Sequence, residues 1–94
     1  TGNVPSRHFE AQFAQAMRNI LTILAEDGAG PEHIVRLTIY VTDKVQYISR
    51  RDDLAPIWRE LMGAHYPAIA LVEVKGLVNS AAAVEIEATA VVEE

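Results

Sequence analysis

The chain has no cysteine among its 94 residues, which excludes a disulfide framework, a thiolate nucleophile and a Cys-ligated zinc or iron–sulfur site. It also lacks any surplus of positive charge: 8 Lys and Arg stand against 13 Asp and Glu, for a net charge of −5. Such a balance repels phosphate backbones and anionic lipid surfaces at long range, so neither nucleic acid nor a membrane is an expected partner. No uncharged stretch approaches the roughly 18 apolar residues of a membrane span. The opening TGNVPSRHFE has no basic region leading into an apolar one, so nothing in it reads as a secretion signal. A soluble, cytoplasmic protein is expected. Signature motifs are missing too: there is no P-loop, no GxGxxG, no His-Glu-x-x-His and no GxSxG.

What is present is an ordinary globular composition, 50% hydrophobic and 22% charged in 10.3 kDa. That is one domain, residues 1–94, with one core. A globule of this size buries only about 60–65% of the surface of its unfolded chain, so a partner subunit would add needed burial.

The hydrophobic pattern predicts five elements. Phe9, Phe13, Met17, Ile20 and Leu24 recur every three or four residues, a helical stripe running from about Ser6 to Asp27. Ser6 is the expected N-cap, and Gly28, Gly30 and Pro31 stop the helix. From Ile34 to Val41 the period becomes two, with Val35, Leu37, Ile39 and Val41 on one face of a strand and Arg36, Thr38 and Tyr40 on the other. After the Asp43-Lys44 turn comes a broken helix, a short turn near Tyr47 and a main segment from Leu54 to Ala64. Its expected N-cap is Asp52 or Asp53, which would place Pro56 in the first turn, where proline is tolerated. Ala68–Val74 and Val84–Val92 read as strands, the latter alternating Val84, Ile86, Ala88 and Ala90 with Glu85, Glu87 and Thr89. The order α-β-α-β-β fits an α+β domain with both helices on one face of the sheet. The mixed polarity of the other face points to contact with another subunit.

Few residues suggest chemistry. His8, His33 and His65 fall in separate elements, so no metal site is expected. Arg51 and Asp52 lie in a charged run that serves either as a capping segment with surface ion pairs or as a ligand contact through Arg51. Glu85 and Glu87, two apart, share one strand face. On an open strand they only aid solubility; beneath a neighbouring subunit, one desolvated carboxylate could move protons near neutral pH.

Taken in order, TGNVP, AQAMRNI, HIVRLTIYVTD, YPAIALVEVKGL and VEIEATAVV resemble the RidA family, also called YjgF, along essentially the whole chain. The resemblance implies a chorismate-mutase-like α+β subunit that forms a homotrimer, with ligand pockets between subunits. It implies hydrolytic deamination of small enamines and imines such as 2-aminoacrylate, without metal or organic cofactor. It also implies a further strand pair of roughly 35 residues ahead of Thr1, which would cover an otherwise open sheet edge. On that ground the chain is expected to be part of a longer protein.

Carried over position by position, the resemblance puts Glu85 at the acid that handles the attacking water. Ile69 stands where active members have the arginine that grips the substrate carboxylate, Ala70 follows it, and Leu71 stands where a cysteine is frequent. Isoleucine offers no donor, so efficient turnover of 2-aminoacrylate is not expected. The candidate site is therefore Glu85 as catalytic acid or base, with Ile69, Ala70, Leu71, Arg51 and Asp52 around the ligand. The alternative from another class is a trimer of the same fold that binds a small ligand or a protein without catalysis. Ribonuclease or translation-inhibitor roles, suggested for relatives, conflict with the acidic charge.

Overall fold

The first helix, α1 (Phe9–Glu26), turns Phe9, Phe13, Ala14 and Met17 into the interior in the computed structural model, which describes residues 8–92. The expected N-cap Ser6 lies outside the described residues; among these, His8 is the cap and makes no side-chain capping bond. At the other end Gly28 takes φ 74°. Its N–H reaches the Ala25 carbonyl, and the Ala29 N–H reaches Leu24, a Schellman closure that favours glycine at the left-handed position. A short 3-10 helix, Pro31–His33, follows, and its His33 Nδ1 accepts the Gly30 N–H at 2.9 Å.

Strand β1 (Ile34–Val41) is central, in the order β2-β1-β3. It pairs in parallel with β2 (Ala68–Glu73) and antiparallel with β3 (Val84–Ala90). Ile34, Leu37, Ile39 and Val41 are fully buried, and with Phe9, Phe13, Met17, Leu54 and Trp58 they form the core. Val35, expected on this inner face, is 49% exposed. The reason is a register shift: Ile34 pairs with Ala90 but Arg36 with Thr89, so β1 carries one extra residue, and the bulge resets the alternation. Strand β3 keeps its expected faces but ends at Ala90 instead of Val92.

Between β1 and β2 the chain crosses over through α2 (Lys44–Ser49) and α3 (Arg51–Met62). Asp43 caps α2, its Oδ1 accepting the Gln46 N–H at 3.1 Å. Helix α3 begins three residues before the expected Leu54, because the Arg50 carbonyl already receives the N–H groups of Asp53 and Leu54. Asp52 and Asp53 are thus not N-caps but first-turn acids, favourably placed against the helix dipole. Pro56 falls in the second turn, where it deletes the bond to the Asp52 carbonyl. Helix α3 stops at Met62, before the expected Ala64, where Gly63 takes φ 65°. The architecture is three helices on one face of a mixed three-stranded sheet, the α+β arrangement expected.

Candidate functional site

Two concave places matter, and they lie on opposite faces of the sheet. The open face is set by register: Thr38 pairs with Glu87, Tyr40 with Glu85, and on the other side Thr38 with Ala70. Side chains paired this way project together. Tyr40 Oη donates to Glu87 Oε1 at 3.2 Å. The negative charge of Glu87 first, then partial desolvation, that hydrogen bond and the charge of Glu85 hold the Tyr40 phenol above its usual pKa. Glu85 is exposed and accepts no side-chain hydrogen bond from a described residue. A shallow groove of about 480 Å³ runs beside it, with Tyr40, Glu87 and the Gly76–Val78 loop as its other walls. A carboxylate so placed can accept a proton from a water in the groove, with the Tyr40–Glu87 pair as a second polar anchor.

On the helix face a groove of about 200 Å³ opens between α1, α3 and β2, lined by Phe13, Leu54, Trp58, Tyr66 and Ile69, with Tyr47 and Arg51 at its rim. Trp58 and Tyr66 stack with ring centroids 5.5 Å apart, and Trp58 Nε1 donates to the His65 carbonyl at 3.1 Å. The ring of Tyr47 stands edge-on to Phe9 and Phe13. Its phenol is pushed up by burial, against the opposing charge of Arg51.

The structure therefore brings Arg51 and Ile69 together and separates them from Glu85. Leu37, the partner of Ile69, and Tyr40, the partner of Glu85, stand three positions apart on β1, an odd offset that puts the two on opposite faces. Leu71 packs against the core margin, Ala70 joins the open face, and Asp52 is an exposed first-turn residue that lines neither groove. Tyr40 belongs beside Glu85 and was not anticipated as a site residue. The alternation of β1 put it on the polar face, but only the β1–β3 register sets it opposite Glu85.

A third groove, about 370 Å³ between α1 and the loop before β3, spends its amides on the scaffold. Gln12 Oε1 accepts the Ala83 N–H at 2.7 Å, and Asn79 Oδ1 accepts that of Ala81 at 3.0 Å. Among the described residues no three His, Asp or Glu side chains group as metal ligands, and no helix is long and apolar enough to cross a membrane.

The family model described as Endoribonuclease L-PSP matches residues 1–92. No curated protein matches the chain. Among solved structures, a member of the YjgF/YER057c/UK114 family from Mycobacterium tuberculosis is 36% identical with a TM-score of 0.76, over 92% of this chain and 70% of that one. RidA from an Antarctic Psychrobacter is 30% identical with a TM-score of 0.71, over 86% and 62%. A Vibrio vulnificus protein superposes with a TM-score of 0.81 at 33% identity, over 97% and 70%. The chain spans 65% and 66% of the related Entamoeba histolytica and Thermotoga maritima proteins. A sequence match over nearly every residue and a shared three-helix, mixed-sheet subunit lead to one conclusion: the chain belongs to the endoribonuclease L-PSP family, the YjgF/RidA family of its structural relatives.

Proposed function

We propose that the protein is a cytoplasmic, cofactor-independent hydrolase of small reactive imines or enamines, working in pockets between the subunits of a homotrimer. The observation that supports this is Glu85, exposed on the open sheet face beside Tyr40 and Glu87 and at the position of the family's acid. In the reaction, water adds its oxygen to the C=N carbon while Glu85 takes its proton and returns one to nitrogen. The resulting carbinolamine expels ammonia as the C=O bond forms. A general acid or base of this kind contributes typically 10²–10⁴-fold. The acidic charge of −5 argues against a nucleic-acid substrate despite the descriptive name of the family.

Ile69 favours a second reading, a trimer that binds a ligand without turning it over, because the position offers no donor to a substrate carboxylate. The two readings separate on 2-aminoacrylate. Losing a bidentate guanidinium contact is worth roughly 10²–10⁴ in kcat/KM, so the wild type should hydrolyse this compound poorly and Ile69→Arg should gain activity that Glu85→Ala abolishes. Absence of Glu85-dependent turnover on any imine, in wild type and Ile69→Arg alike, leaves the binding module as the answer.

A further inference from the structure

The helix-face groove combines features that neither a solvated surface nor a packed core requires. Its walls are aromatic and aliphatic side chains, yet Tyr66 is 66% and Ile69 45% exposed. Among the described residues one cation, Arg51, lines the groove. Arg50, the neighbouring residue, is committed to Glu10 at 2.8 Å, whereas Arg51 makes no hydrogen bond or ion pair with any described residue. A guanidinium without a partner among the described residues, beside an apolar concavity, is complementary to an amphiphile with a carboxylate at one end and a hydrocarbon group at the other. Volume bounds that group, since an apolar cavity of about 150 Å³ already holds a benzene ring. A groove of about 200 Å³ thus accepts one ring or a branched chain of similar bulk.

We infer that this groove is a specificity subsite for imino acids with a branched or aromatic side chain, in which Ile69, Trp58 and Tyr66 grip the hydrocarbon and Arg51 grips the carboxylate. The inference rests on the proposed imine hydrolysis and names its substrate class. It also gives Ile69 a purpose. With the carboxylate held by Arg51, a position that would otherwise offer a donor is free to contact the side chain. Each methylene buried there is worth about fourfold in affinity, and 2-aminoacrylate, with a bare methylene, gains almost none of it.

The protein carries its own reporter, because Trp58 is its single tryptophan and lines the groove. Titration of the purified protein should show saturable changes in Trp58 emission with phenylacetate and 4-methylpentanoate but not with acetate, and phenylacetamide should bind about tenfold more weakly than phenylacetate. Arg51→Gln should lower phenylacetate affinity to the level of the amide and leave the amide unmoved. Ala55→Phe, which fills the groove and keeps the charge, should remove both, with the melting temperature of each variant checked. Acid and amide binding equally to wild type, or an indifferent Trp58, overturns the subsite without need of any variant. Turnover is measured separately on imines released from leucine, phenylalanine or alanine by an amino-acid oxidase, and should favour the first two. Hydrolysis that depends on Glu85 but ignores side-chain size and Arg51→Gln also overturns it. Groove binding without Glu85-dependent hydrolysis instead overturns the enzyme reading and leaves a carboxylate-binding groove.

Discussion

Glu10 shows how one side chain joins two helices. Its carboxylate meets Arg50 Nη1 at 2.8 Å, tying the start of α1 to the junction of α2 and α3. A hydrogen bond from its own backbone N–H, then the hydrogen bond and charge of Arg50, hold its pKa below the usual carboxylate value against opposing desolvation. Because the folded pKa is depressed, the stabilisation is present above the unfolded pKa and lost as pH falls through the folded one. Glu10→Gln should therefore melt below wild type at neutral pH, with the gap closing as the solution is acidified through the carboxylate range. Melting curves taken across that range check it, and a gap that stays constant to low pH would assign the effect to packing. The pair is partly solvated, with side chains 39% and 29% exposed, so a shift of a few degrees at most is expected. At this scale the sequence was least legible. The hydrogen bond of Tyr40 to Glu87 and the bulge that exposes Val35 both depend on a register between strands more than 40 residues apart, and no local pattern encodes it.

The elements themselves were largely legible, for reasons visible in particular residues. The stripe Phe9, Phe13 and Met17 is buried as its spacing requires, and β3 presents Glu85 and Glu87 away from Val84 and Ile86. The error lay in α3. Proline was expected to mark a first turn, yet Pro56 sits one turn deeper because the chain closes its first bonds on the Arg50 carbonyl. Packing of Leu54, Trp58 and Met62 into the core outweighs the missing bond. An interior proline costs about 3 kcal/mol relative to alanine, offset by up to about 1 kcal/mol from the stiffer unfolded chain. Pro56→Ala should accordingly stabilise the protein by about 2 kcal/mol in urea unfolding. A loss of stability would mean that the Pro56 ring itself is needed to seat Trp58.

At the scale of the whole molecule the decisive fact is that Ile69 and Arg51 lie on one face of the sheet and Glu85 on the other. No movement of side chains within one protomer carries a small substrate through a sheet whose central strand is paired on both edges and buries Ile34, Leu37, Ile39 and Val41 in the core. If both faces serve one reaction, the groove of one copy must meet the Glu85 of another, as the proposed trimer supplies. The association itself predicts a mass by light scattering of about three times 10.3 kDa. Mixing of variants tests the shared site. Arg51→Gln and Glu85→Ala should each be nearly inactive alone on a leucine-derived imine. When the two are unfolded together in equal amounts and refolded, random trimers place an intact Arg51 opposite an intact Glu85 in about a quarter of the sites, and activity should return to about that fraction of wild type. A site built within one chain predicts no recovery, since every chain would carry one lesion. Recovery near one quarter would place the reacting imine between two copies; a mixture as inactive as its parents would sink the shared pocket, whatever mass the assembly has.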